Sequence, residues 1–262
     1  MGYYSLAKAL GQEQPLYAFQ APGADLHSES VDSVEEMAGI FVRDLLLSGF
    51  QSPYTLVGYS FGGTLVYEMA ARLNELGISA SKLFIMDTIA PDRTIKDYSS
   101  MYPGSYSGWL IYFKNIFNLM IRDEGNKVEL REEELQDKTA EEQFALFFDR
   151  VSQKEENITY EQLKAYTDIY RKNAAVSYVP AHSGPQNMSI ILFRAMRTLT
   201  ALSAEQIAIR DELAEGKAQM PDLGWHQFTD GPITVYEVDS SHIEMTSEPY
   251  ISRIATIIKN HL

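Results

Sequence analysis

The stretch YTLVGYSFGGTLVYEM, Tyr54 to Met69, drives an apolar run into a serine and then continues as an amphipathic helical pattern. Ser60 lies within Gly58-Tyr59-Ser60-Phe61-Gly62, a G-x-S-x-G pattern with a strand before it and a helix after it. In such an elbow the serine takes a strained backbone conformation with its Oγ raised above the sheet. Side chains two residues before and after would collide, so Gly58 and Gly62 give clearance, and Gly63 lets the helix approach closely. The Phe61 N–H, at the helix start, faces any oxyanion that develops beside the serine. The bland alternative is a tight turn carrying an incidental serine. It does not explain glycines on both sides.

A serine hydroxyl is inert at neutral pH and needs a base, which in turn needs an orienting acid. His27 lies in a polar stretch and His261 is the penultimate residue, while His182 falls in the loop VPAHSGPQ. His242, in DSSHIEM, follows the strand-like ITVYEV and precedes the last helical pattern, the carboxyl edge where a base is required. His226, in LGWHQF, is its rival. For the acid, Asp87 ends the apolar run KLFIMD on the same edge as Ser60, an awkward place for a carboxylate without a partner. Asp92, Asp211 and Asp239 are the alternatives. No carboxylate stands just beyond SIILFRAMRT, which favours Asp87, and the order Ser60, Asp87, His242 suits a serine hydrolase.

The elements that must position these residues alternate. Tyr54–Tyr59, Lys82–Met86, Met188–Phe193 and Ile233–Val238 read as strands, with Pro15–Phe19 a weaker fifth. Ser33 and Glu36 have capping-box spacing ahead of a helix whose stripe is Met37, Ile40, Phe41, Leu45 and Leu46. A second helix spans about Thr64 to Leu76 and stops at Gly77, and a last one follows Pro249 with Ile251, Ile254, Ile257 and Ile258 on one face. This alternation implies an α/β fold, a mostly parallel sheet with helices on both faces. Residues 97–177 break it with aromatic-rich helical patterns and no convincing strand, as expected of a helical lid inserted into a single domain over 1–262; the plainer alternative is a helical layer that extends the core. The aromatics there (Trp109, Tyr112, Phe113, Phe117, Phe144, Phe147, Phe148) read as core before pocket.

Composition narrows the function classes. With 36 acidic against 22 basic residues the net charge is −14, and no Lys/Arg cluster offers a patch for nucleic acid or an anionic membrane. The acid is densest in ELREEELQDKTAEEQ, where a solvated helical face is the plain reading. There is no cysteine, which excludes disulfides, thiol nucleophiles and Cys-zinc sites. No signal segment or run of about 18 apolar residues is present, so a cytoplasmic location is expected.

YTLVGYSFGGTLVYEMAARL, LFIMDTIAP and LGWHQFTDGPITVYEVDSSHIEM together resemble the thioesterase domains of non-ribosomal peptide synthetases and polyketide synthases, within the α/β-hydrolase superfamily. GYSFGG is closer to the peptide-synthetase branch. An acid directly after the strand that follows the nucleophile is similar to the chain-terminating, integrated domains. The resemblance implies that a carrier protein delivers an acyl, peptidyl or polyketide chain as a 4′-phosphopantetheine thioester. Ser60 would take up the chain with His242 as base, Asp87 would hold the imidazole, and water or an internal nucleophile would release an acid or a macrocycle. The pantetheine belongs to the substrate, so no cofactor or metal of the chain's own is implied. Such carriers are acidic, so docking would require local basic or apolar surface.

Domains of this kind begin with an apolar strand and a His-Pro-Gly-Gly loop that supplies a second oxyanion N–H. This chain opens at MGYYSLAKAL, already within the helix that follows that loop. The expectation is that the first strand or strands are missing here: either Met1 is an internal residue of a longer parent, or the upstream strand is absent and the Phe61 N–H would stand alone, where losing one donor costs about 100- to 1,000-fold in rate. Two other readings stand beside the thioesterase. One is a general carboxylesterase or lipase on the same scaffold, the other a truncated module that binds a carrier without catalysis.

Overall fold

The computed structural model describes residues 2–80, 82–91, 104–119, 121, 124–155, 157–176, 178–180, 188–197 and 217–262. Among these residues one sheet of four parallel strands runs β1 (Thr55–Tyr59), β2 (Lys82–Met86), β3 (Ser189–Arg197) and β4 (Ile233–Ser241), in that spatial order. The register pairs Tyr59 with Met86, Met86 with Phe193 and Phe193 with Tyr236, so the strand ends bearing the candidate site residues lie side by side.

Alternation along the strands sorts the core into two layers. Leu56, Leu83, Ile85, Ile190 and Leu192 face α2 (Val34–Leu47) and α3 (Phe61–Glu75). Phe84, Met86, Ile191, Phe193 and Val238 face α1 (Gly2–Leu10) and α7 (Tyr250–His261), the latter through Ile251, Ile254 and Ile258. Helices therefore cover both faces, as expected for buried parallel strands.

Local signals account for most of the boundaries. Ser33 Oγ accepts the Glu36 N–H at 3.1 Å and starts α2. Gly77, at φ +72°, ends the turn after α3 by donating to Asn74 O. Three expectations need correction. The second helix starts at Phe61 rather than Thr64, because the chain enters it directly from the elbow, with both glycines in its first turn. Leu46, expected on the buried stripe of α2, is 39% exposed at the end of the helix. Pro15–Phe19 joins no strand; its rings are used in contacts with Phe41 and Phe50 instead.

Within the 97–177 region, α4 (Tyr106–Leu119), α5 (Ala140–Ser152) and α6 (Tyr160–Ala175) enclose a third cluster of their own. Trp109, Phe144 and Phe147 are at most 3% exposed in it, and Ile243, beside His242, packs against its margin. Thr139 and Thr159 cap α5 and α6 with reciprocal capping boxes. Lys172 of α6 reaches Asp32 at 2.8 Å and Ser30 at 2.7 Å, tying these helices to the loop ahead of α2. Among the described residues no helix is long and apolar enough to cross a membrane.

Since Phe147 is fully buried in that third cluster, Phe147→Ala is expected to lower stability by about 3–5 kcal/mol in urea unfolding. A loss no larger than that of an exposed substitution would mean the cluster is not a core.

Candidate active site

At the β1–α3 junction Ser60 adopts φ 54° and ψ −128°, a region that side-chain-bearing residues rarely occupy. The surroundings hold it there. Its N–H donates to Met86 O at 3.0 Å, and its carbonyl accepts from the Gly63 N–H at 2.8 Å and from Thr88 Oγ1 at 2.7 Å. A serine preceding a helix ordinarily caps it, but here the side chain makes no capping bond because the backbone turns Oγ away.

The glycines around Ser60 serve three different contacts. A Cβ at Gly58 would stand 2.2 Å from the Gly62 carbonyl oxygen, a backbone clash that nothing nearby can relieve. At Gly63 it would meet Thr88 Oγ1 at 2.1 Å, and at Gly62 the Tyr3 hydroxyl at 2.6 Å. The first N–H groups of α3, those of Phe61 and Gly62, have no intrahelical acceptor and lie at the positive end of the helix dipole.

Asp87 follows β2 directly, at φ 49°. Its N–H donates to Phe193 O at 2.7 Å, and its Oδ1 accepts the Ala195 N–H at 2.8 Å. Oδ2 lies 2.8 Å from His242 Nδ1, with the two side chains 17% and 26% exposed respectively. His242 stands in the loop after β4, and the Tyr59 hydroxyl donates to its carbonyl at 2.9 Å. Next to it, the Ser241 N–H and hydroxyl donate to Glu244 Oε2 at 2.9 and 2.7 Å. Those bonds, with Arg197 at 3.1 Å, hold the Glu244 carboxyl below the usual range.

Of the residues singled out in the sequence, Asp87 and His242 are brought into contact. Ser60 stands at the same end of the sheet, but its Oγ has no hydrogen-bond partner among the described residues, His242 included. The rival base, His226, is 57% exposed and engages Asp222 at 2.8 Å. The rival acid Asp239 is 90% exposed and faces Arg197. Asp92, Asp211 and His182 lie outside the described residues.

Sequence reasoning missed the Ala195 N–H, Thr88, Tyr3 and the Tyr59 side chain: Tyr59 fills an unspecified position of the G-x-S-x-G pattern, and the others carry no motif. The Ser241–Glu244 brace was legible in its S-x-x-E spacing, familiar from helix starts.

The family model for the thioesterase domain matches residues 2–261, and the chain belongs to that family. Its helix-flanked parallel sheet is an α/β-hydrolase fold. Malpibaldin synthetase of Mortierella alpina is 26% identical over 260 residues, a match covering 99% of this chain but 4% of that protein's length. A dimodular nonribosomal peptide synthase of Bacillus subtilis is 31% identical over 85 residues, which is 32% of this chain and 4% of its own. Among solved structures, a four-domain nonribosomal peptide synthetase bound to AMP and glycine matches with a TM-score of 0.75 at 19% identity. That match covers 99% of this chain and 18% of the other. The Vlm2 thioesterase domain bound with a dodecadepsipeptide gives 0.63 at 18% identity, over 100% of this chain and 89% of the other.

Gly58→Ala is expected to cost at least the roughly 1–3 kcal/mol of an over-filled core, measured by urea unfolding. A variant as stable as the parent would remove the steric account of the elbow.

Proposed function

We propose that this chain is a serine thioesterase that takes an acyl, peptidyl or polyketide chain from the 4′-phosphopantetheine thioester of a carrier protein. The observation that carries the reading is Asp87 Oδ2 at 2.8 Å from His242 Nδ1, on the sheet edge where Ser60 is held in its strained conformation. Membership of the thioesterase domain family supports it, as does the match to malpibaldin synthetase across 99% of the chain.

In this reading His242 Nε2 removes the Ser60 proton as Oγ attacks the thioester carbonyl. The Phe61 N–H meets the oxyanion, and Asp87 stabilises the imidazolium that forms. Collapse breaks the C–S bond, and the pantetheine sulfur leaves with the proton from His242. Water, or a nucleophile within the bound chain, then attacks the Ser60 ester with His242 again as base. The product is a free acid or a macrocycle, and Ser60 is regenerated. The pantetheine arrives and departs with the carrier, so the chain needs no cofactor of its own. Residues 97–177 serve as the lid of a single domain, their separate core letting them move as a body. The setting is the cytoplasm, beside the carrier.

One observation favours a second reading. Because Ser60 Oγ lacks a partner among the described residues, the chain would instead bind a loaded carrier without catalysis. The two readings differ in outcome. For a thioesterase, intact mass after fluorophosphonate treatment gains one adduct that Ser60→Ala abolishes, and the acyl-pantetheine thioester turns over faster than the matching oxygen ester. If the folded wild type takes no label and leaves an acyl carrier loaded, the binding module is correct. Equal or better turnover of the oxygen ester would make it a general esterase.

Asp87→Asn keeps the shape of the site but presents the wrong hydrogen-bonding group to Nδ1. It is expected to lower kcat by about 10⁴-fold, measured with the same thioester. A fall of only a fewfold would remove Asp87 from the role of acid.

A further inference from the structure

Tyr59 is the last residue of β1 and the immediate neighbour of Ser60. It is fixed at three points. Its N–H donates to the Tyr3 hydroxyl at 3.0 Å, its own hydroxyl donates to the His242 carbonyl at 2.9 Å, and its ring lies on the imidazole. The ring centroids are 4.8 Å apart and the planes 26° from parallel, a stacked contact. Burial, reinforced by Asp87, Tyr170 and Tyr3 nearby, pushes the Tyr59 phenol far above its ordinary range, so it stays a neutral donor.

The Asp87 contact restrains His242 at one atom, Nδ1. A single hydrogen bond sets a direction but leaves the imidazole plane free to tilt about it, and tilting swings Nε2 through an arc. The stacked ring supplies the missing restraint by fixing the plane. The hydroxyl adds a second, anchoring the loop backbone from which the imidazole hangs. Both restraints come from the residue bonded covalently to Ser60, so a shift of the β1 end carries nucleophile and base together.

We infer that Tyr59 is the positioning residue of this site, its ring face fixing the plane of the His242 imidazole and its hydroxyl fixing the loop that carries it. The inference rests on the reading of Ser60, Asp87 and His242 as nucleophile, acid and base.

The test uses Tyr59→Phe, which keeps the ring, and Tyr59→Leu, which removes it, each confirmed as folded by circular dichroism. The first readout needs no catalysis. It is the downfield proton resonance of the His242 imidazole N–H hydrogen-bonded to Asp87, assigned by its loss in His242→Asn. It is expected in the parent and in Tyr59→Phe, and broadened or lost in Tyr59→Leu. The second is the split between kcat and KM on an acyl-pantetheine thioester. Tyr59→Phe is expected to lower kcat about threefold to tenfold, as for one lost hydrogen bond. Tyr59→Leu is expected to lower it about 100-fold, the scale of an ångström-sized misplacement, with KM within twofold of the parent in both. A folded Tyr59→Leu that keeps the resonance overturns the inference, as does one whose loss appears in KM rather than kcat. Failure of the triad reading looks different: Ser60→Ala turns over the thioester like the parent, while the resonance still decides the role of Tyr59.

Discussion

The backbone at Ser60 is the constraint on which the rest of the site depends. A strand must become a helix at a single residue, and the φ 54°, ψ −128° conformation that achieves this costs about 1–3 kcal/mol. Such strain persists only when its surroundings over-determine it. Here the Met86 carbonyl, the Gly63 N–H and the Thr88 hydroxyl hold both ends of the Ser60 peptide, while Gly58 accepts the returning helix backbone at a distance no side chain would allow. Thr88 and Asp87 are consecutive. One turn after β2 therefore holds the His242 imidazole with Asp87 and grips the Ser60 carbonyl with the next residue, Thr88.

That turn holds its position because β2 is buried on both faces, with Leu83, Phe84 and Ile85 wholly inaccessible. The parallel register carries the same rigidity to β3 and β4, so the loop bearing His242 starts from a fixed strand end. The helices α4–α6 draw on none of this core. Among the described residues their cluster is separate; Ile243 packs against its margin, Lys172 ties α6 to the loop ahead of α2, and Tyr170 of α6 lies near Tyr59.

The strands and the elbow were legible because β-branched runs and flanking glycines report local conformation, which composition over a few residues encodes. Asp87 and His242 were singled out by their place after strands, and the two side chains do meet; the aromatics of the helical region were read as core, where Trp109, Phe144 and Phe147 lie. What stayed hidden depends on contacts between distant residues. Tyr3 meets Tyr59 across 56 positions, Tyr59 meets His242 across 183, and Ala195 meets Asp87 across 108. Alternation in β1 could say which face Tyr59 occupies but not which ring it would lie against. Pro15–Phe19 misled for the converse reason: its pattern suits a strand, and strand pairing is a property of two segments rather than one.

The difference in length between neighbouring strands has a consequence for how this site could change. β3 runs for 9 residues against 5 in β2, so beyond Phe193 it outlasts its neighbour and the Ala195 N–H has no β2 carbonyl to meet. The Asp87 carboxylate takes that place, prolonging the ladder by one rung with a side chain. Asp87 is thus also a piece of the sheet. Transferring it to the tip of β3 would not be a simple exchange of one carboxylate for another, because the vacated rung would leave a partly buried donor unsatisfied. Strand length and the place of this carboxylate are therefore physically coupled: a variant that moved it would have to shorten β3 or refill the rung as well.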